Sequence, residues 1–174
     1  GWSSFIGLQI EYSLLERTSE GELIPMAEEM GLGIMPWSPL KQGILTGKYT
    51  RDNKGEKQSE RYDDPEFSEK TYNIIDRLIE VSKKKNATPT DIALAWVISR
   101  PGVTSTLMGV RTMQHLTSNL NALSIELTKE EIYYLDEISK PELNFPIPFL
   151  EGARNVAHAG ANINGKSSER PPIL

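Results

Sequence analysis

Three polar or charged residues sit where a phosphate-bearing ligand could be held. Arg111 follows an apolar stretch and precedes a helix that opens at Thr112. Free N–H groups and the helix dipole favour an anion at such a terminus, and the guanidinium fork can bind two phosphate oxygens at once. Ser38 lies in Trp37-Ser38-Pro39-Leu40, directly after another apolar stretch. Lys48 lies in Gly47-Lys48-Tyr49, at the start of a polar segment. Other readings stand beside these. Arg111 and Lys48 are also ordinary surface residues, Trp37 is also a core aromatic, and Gln9 in a strand needs only a structural hydrogen-bond partner. His115 reads as a helix-surface residue. Lys83, Lys84 and Lys85 read as a solvated helix end, where cations complement the dipole.

Some chemistry is excluded. The chain has 174 residues and no cysteine, so disulfides and thiolates are absent. Its two histidines, His115 and His158, lie far apart in sequence. No metal-ligand pattern is expected. No G-x-G-x-x-G follows a strand, so a dinucleotide would be held without that fingerprint. A net charge of -5 argues against nucleic acid or an anionic membrane as partner. Apolar residues at 38% and charged residues at 25% describe a globular chain, and its apolar runs are too short to span a bilayer. A cytoplasmic location is expected. The first residue is not Met and an apolar run begins almost at once, which reads as a start inside a domain.

The elements that must position these residues follow from periodicity. Phe5 to Tyr12 is a short, nearly continuous apolar run, expected as a strand buried on both faces. Ser19-Glu20-Gly21-Glu22 has the pattern of a capping box opening a helix, with Leu23, Met26, Ala27 and Met30 at helical spacing and Pro25 tolerable only in the first turn. Leu32 to Pro36 is the second strand expected. Lys48 to Asp64 is polar and aperiodic, a long surface loop. A helix resumes near Ser68 with Thr71, Ile74, Ile75, Leu78 and Val81 on one stripe. Thr88-Pro89-Thr90-Asp91 caps the next, which ends at Arg100-Pro101-Gly102. Val103 to Met108 is the third strand expected. Helices then open at Thr112, carrying Leu116, Leu120 and Leu123, and at Thr128, with Ile132, Leu135 and Ile138 inward. Residues 1–140 form one body. Residues 141–174, rich in proline, glycine and asparagine, are expected to be an irregular tail in which Asn144, Phe145, Pro146 and Phe149 pack and Arg154 and His158 are solvated. Strand and helix alternation means α/β architecture with parallel strands. Three strands cannot close on themselves, and a full β/α barrel needs ~250 residues.

Gln9-Ile10-Glu11-Tyr12-Ser13-Leu14, Gly33-Ile34-Met35-Pro36-Trp37-Ser38-Pro39-Leu40, Gly47-Lys48-Tyr49 and Gly109-Val110-Arg111-Thr112, in this order and spacing, resemble the aldo-keto reductase family. The look is closest to bacterial members related to potassium-channel β subunits. The resemblance runs from Trp2 to about Ile138. It implies the C-terminal portion of a (β/α)8 TIM barrel, strands six to eight with their helices. It also implies an NADP-dependent oxidoreductase that reduces aldehydes or ketones by hydride transfer, here supplying the half that binds NADPH.

Residue by residue, the resemblance implies that Gln9 bonds the nicotinamide carboxamide and Trp37 stacks on the ring. Ser38, Pro39 and Leu40 line the pyrophosphate path, and Lys48 brings charge to the phosphates, with Arg61 a further candidate. Gly109 and Arg111 lie at the adenosine end, Arg111 on the 2'-phosphate. His115, Ser118 and Asn119 stand where the family usually has Gln or Arg, Glu and Asn. The first two substitutions would each weaken affinity by about 1 kcal/mol, the scale of a lost hydrogen bond. The family's catalytic Asp, Tyr, Lys and His come from the first half of the barrel and none maps here; Tyr12 occupies another position. No catalytic residue is therefore assigned. The implied partners are a small carbonyl substrate in the full-length parent and the missing N-terminal half. The alternative is a non-catalytic NADP-binding or assembly module, or a half-barrel that self-associates through open strand edges.

Overall fold

The computed structural model describes residues 1–53, 66–163 and 165–167. Two parallel strands, β1 (Gly7–Glu11) and β2 (Gly33–Trp37), pair in register from Gly7 opposite Gly33 to Glu11 opposite Trp37. Helix α1 (Leu23–Glu29) makes the crossover. Its start differs from expectation. Ser19 lies in a 3-10 turn, Thr18–Glu20, and Glu22 precedes the helix without a side-chain cap. Pro25 falls in the first turn, where its missing N–H is unneeded.

The third strand is replaced by an extended segment. Ile34 accepts from Thr104 N at 2.9 Å and donates to Gly102 O at 3.2 Å, so Val103 runs parallel to Ile34. Pro36 has no N–H to continue the ladder. The next bond, Leu107 N to Pro36 O at 2.8 Å, is shifted by one residue from a regular parallel ladder. One proline thus limits regular pairing to a bridge.

Burial along the strands also departs from the sequence reading. Ile10 and Ile34 are buried against helices. Gln9 and Trp37, which alternate with them, are exposed, Trp37 at 44%. Only one face of the sheet is covered in this chain, so Trp37 is not a core aromatic and β1 is not buried on both faces.

The helices follow the capping signals. Helix α2 (Glu69–Lys85) has Ser68 accepting from Thr71 N. Helix α3 (Pro89–Ile98) has the Thr88/Asp91 capping box. Residues Ile92 to Val97 of α3 are buried on every side, as befits an all-apolar helix at the centre of a core. It packs on α2 and on the 3-10 stretch Lys41–Thr46. Helix α4 (Met113–Leu120) is capped by Thr112, and α5 (Lys129–Ser139) by a Thr128/Glu131 box. Leu120 and Leu123 are exposed, at 50% and 69%, so they do not continue an inward stripe. Leu123 lies in a separate 3-10 turn, Asn121–Ser124, where the phase changes.

The chain divides into two compact units, Gly1–Pro141 and Glu142–Leu174. The second is not irregular throughout. Helix α6 (Ile147–His158) is followed by a hairpin of β3 (Asn162–Ile163) and β4 (Lys166–Ser167). Pro148 falls in the helix's first turn, where proline is tolerated. Phe145 and Phe149, exposed in this unit, have ring centroids 6.0 Å apart. The side chain of Arg154 lies outside the described residues.

A charged network ties the first unit together. Arg17, 6% exposed, binds both carboxylate oxygens of Glu20 at 2.8 and 2.9 Å. It also donates to Ser139 Oγ at 2.7 Å and to Asp136 O at 3.0 Å. The Asp136 carboxylate accepts from the Trp96 indole at 3.0 Å and from Arg100 at 2.9 Å. Both guanidiniums lie over the Trp96 ring, at 5.1 and 4.9 Å. Replacing Arg17 by Met would leave Glu20 and Asp136 short of a buried partner and is expected to lower stability by about 3 kcal/mol. Urea denaturation of the variant checks this; a change below about 1 kcal/mol would mean the network is dispensable.

Candidate functional site

Ser38, Pro39, Leu40, Lys48, Gly109, Arg111, His115 and Asn119 line one open cleft of 570 Å³, together with Ser118. Residues separated by up to 81 positions are brought together because the loop after β2 and the turn after Met108 leave neighbouring sheet positions on the same side. Gln9 and Trp37 do not line this cleft. They lie on the uncovered sheet face, where Trp37 directly precedes Ser38. Arg61 lies outside the described residues.

The cleft also contains residues that sequence reasoning missed: Gln42, Gly43, Thr46, Thr90, Leu107, Met108 and Val110. Thr90 is the second residue of α3, where its sequence context marks only a helix start. Gln42 and Gly43 had a usable signal, since a glycine shortly after Trp37-Ser38-Pro39-Leu40 marks a tight turn.

Loop geometry is unusual. Ser38, Lys41 and Gln42 have φ of 56°, 45° and 55°, in the left-handed region that residues with a Cβ seldom adopt. Gly43 and Gly47 follow at 97° and 82°. A Cβ at Gly47 would lie 2.6 Å from Pro89 Cγ, so the loop is pressed against the first residue of α3. A Cβ at Gly43 would lie 3.5 Å from Lys48 Nζ, which places the ammonium across the loop. Lys48 Nζ also sits 5.0 Å from the Tyr49 ring centroid.

The electrostatics of the cleft are one-sided. Lys48 and Arg111 line it, and no carboxylate does among the described residues. Neither cation has a carboxylate partner among the described residues. Lys41, by contrast, is bound to Glu11 at 2.7 Å and lies 3.7 Å from Glu16. Burial raises the Glu16 carboxyl, but hydrogen bonds from Thr18 and the Lys41 ammonium outweigh it and its pKa is lowered. At the other wall Thr112 accepts from His115 N at 3.1 Å, which caps α4 where the turn carrying Arg111 ends. In a chain of net charge -5, a Lys and an Arg thus face one cleft with no carboxylate among its described lining residues, an arrangement whose local field favours an anion.

Tyr12, at the end of β1, does not take part. It is 1% exposed and donates to Glu20 Oε1 at 2.6 Å. Burial, then the Glu20 hydrogen bond and charge, push the phenol far above its ordinary value of 10.0. Among the described residues no cluster of His, Cys, Asp or Glu could hold a metal ion, and no helix is long and apolar enough to cross a membrane.

The chain matches the aldo/keto reductase family over residues 1–140. It belongs to that family. An uncharacterized oxidoreductase, YrpG, of Bacillus subtilis is 37% identical over 137 residues, covering 77% of this chain and 41% of the relative. A putative aryl-alcohol dehydrogenase, AAD16, of Saccharomyces cerevisiae is 35% identical over 150 residues, covering 82% and 42%. A probable aldo-keto reductase 1 of Glycine max is 34% identical over 129 residues, covering 72% and 37%. The chain therefore spans about two fifths of the length of the curated relatives it matches. The aldo/keto reductase family implies a (β/α)8 barrel, and the parallel strands and helical crossover of this chain are units of that kind.

Two outcomes follow from this geometry. Gly47→Ala adds a Cβ against a rigid proline at a positive φ and is expected to cost about 2 kcal/mol, read as a lower urea midpoint. The second concerns alkaline pH. The Tyr12 pKa is raised on folding, so its contribution is fully present below the unfolded value and is lost as pH climbs toward the folded one. Stability should start to fall as pH rises through the ordinary phenol value of 10.0 and keep falling above it, and Tyr12→Phe should flatten part of that fall; an unchanged alkaline slope would exclude this origin.

Proposed function

We propose that this chain is the cofactor-holding C-terminal portion, strands six to eight with their helices, of an NADP-dependent oxidoreductase that reduces aldehydes or ketones to alcohols. The observation that carries the proposal is the cleft in which Lys48 and Arg111 stand without a carboxylate among the described lining residues. Family membership supports the reaction class, and one relative's name, a putative aryl-alcohol dehydrogenase, concerns an alcohol–carbonyl couple.

The donor set fits a phosphorylated dinucleotide. Arg111 would take the 2'-phosphate in its guanidinium fork, and Lys48 would neutralise the pyrophosphate as a point charge. Ser38 would donate to a phosphate oxygen beside Pro39 and Leu40. Gly109, His115, Ser118 and Asn119 would flank the adenosine. On the uncovered sheet face Trp37 would stack on the nicotinamide and Gln9 would bond its carboxamide. The bound nicotinamide would supply the hydride for a carbonyl carbon. A proton for the carbonyl oxygen is not supplied by Tyr12, which is buried and bound to Glu20. The rest of the barrel would supply that proton donor.

That same burial of Tyr12 favours a second reading for the chain on its own, an NADP-binding or assembly module without turnover. The uncovered sheet face would then meet the missing half-barrel or a second copy. Titration of the chain with NADPH, followed by cofactor fluorescence, tests the binding claim; no binding up to millimolar concentration would remove it for this chain. Arg111→Met should weaken NADPH about thirtyfold, the scale of a charged hydrogen-bond pair, and NADH by less than about threefold. Equal losses for both nucleotides would remove Arg111 from the 2'-phosphate.

A further inference from the structure

The loop 38–43 walls the cleft while holding three non-glycine residues at positive φ. Such conformations persist only where the surroundings over-determine them. Within the loop, Lys41 N donates to Ser38 O at 2.8 Å and Gly43 N to Leu40 O at 2.9 Å. The Lys41 side chain carries a charged restraint out of the loop. Its ammonium reaches Glu11 Oε1, on the last residue of β1, at 2.7 Å, and lies 3.7 Å from Glu16 Oε2. The three side chains are each about a quarter exposed, at 26%, 26% and 28%. Glu16 is itself held by hydrogen bonds from Thr18 N and Oγ1. Lys41 is absent from the cleft lining although Leu40, Gln42 and Gly43 on either side belong to it. Its charge is directed to Glu11 at the end of β1 and to Glu16 in the turn beyond, not into the cleft.

We infer that Lys41 is a positioning residue, which pins the loop after β2 to Glu11 and Glu16 and so keeps Ser38, Gln42 and Gly43 in the shape that meets the phosphates. The inference rests on reading the cleft as a phosphate site. It differs from a direct charge role in the sign of one effect. Removing the Glu11 charge would strengthen binding of an anion if only the field mattered. If Glu11 anchors Lys41, the same change weakens it.

The test is an NADPH and NADH titration of the chain, with a urea midpoint for each variant. Lys41→Met and Glu11→Gln should each weaken both nucleotides by about tenfold and equally, since the loop rather than one phosphate contact is disturbed. Lys41→Arg should retain wild-type affinity. Glu11→Gln is isosteric and decides the matter if Lys41→Met does not fold. Unchanged or tighter NADPH binding by Glu11→Gln, with the wild type binding, overturns the positioning role alone. Failure of the wild type to bind either nucleotide overturns the phosphate reading, and this inference with it.

Discussion

The Asp136 carboxylate is the constraint on which the packing of the first unit depends. It accepts from the Trp96 indole and from Arg100, and Arg17 reaches it from the opposite end of the sequence. Ions this close to a core cannot be left unpaired, because their desolvation is repaid only by a complete set of partners. The network therefore requires the turn after β1, the C-terminal end of α3 and the end of α5 to be in place together. Trp96 is fully buried and both guanidiniums lie over its ring, so the apolar core and the ionic network share a side chain. Misplacing one misplaces the other.

From that anchor the geometry passes outward to the cleft. Helix α3 is held in its last turn by Trp96, and its first residue, Pro89, meets the loop at Gly47. The loop is thereby pressed from one side by a rigid ring and tied on another by Lys41 to the end of β1. Three positive φ values in non-glycine residues are the visible result of these restraints. Strain of this kind belongs with preorganisation: an open, mobile loop would have to be ordered by its ligand at a cost in affinity. Charge is partitioned in the same way. Lys41 is neutralised by structure, whereas Lys48 and Arg111 face the cleft without a carboxylate among the described lining residues.

In the (β/α)8 barrel that the aldo/keto reductase family implies, strands have one face against helices and the other toward the barrel interior. One sheet face is dry and packed by helices, through Ile10 and Ile34. The other presents Gln9 and Trp37 to solvent. In a closed barrel that second face is interior, so the residues proposed for the nicotinamide end stand where further barrel strands would enclose them. The residues proposed for the phosphate end line a cleft within this chain.

Local signals determined much by themselves. The caps at Ser68, Thr88, Thr112 and Thr128 are each a side-chain oxygen next to a free N–H, and all four open helices as the spacing requires. The motifs around Ser38 and Arg111 pointed to several residues that line one cleft, because strand-then-helix order puts those loops on one side, but Gln9 and Trp37 lie outside it and Gln42, Thr46 and Thr90 were not marked. Tertiary structure decided the rest. Whether Phe5 to Tyr12 is covered on one face or two depends on neighbours that periodicity cannot count. Pro36, an ordinary strand-end residue in sequence, breaks the ladder to Val103 only because a third segment lies on its N side. The pairing of Lys41 with Glu11, 30 residues apart, and of Arg17 with Ser139, 122 apart, is invisible to any local pattern. Charged side chains carry no periodic mark of their partners. Which cation is bound by structure and which faces the cleft is settled by where the folded backbone places the nearest carboxylate.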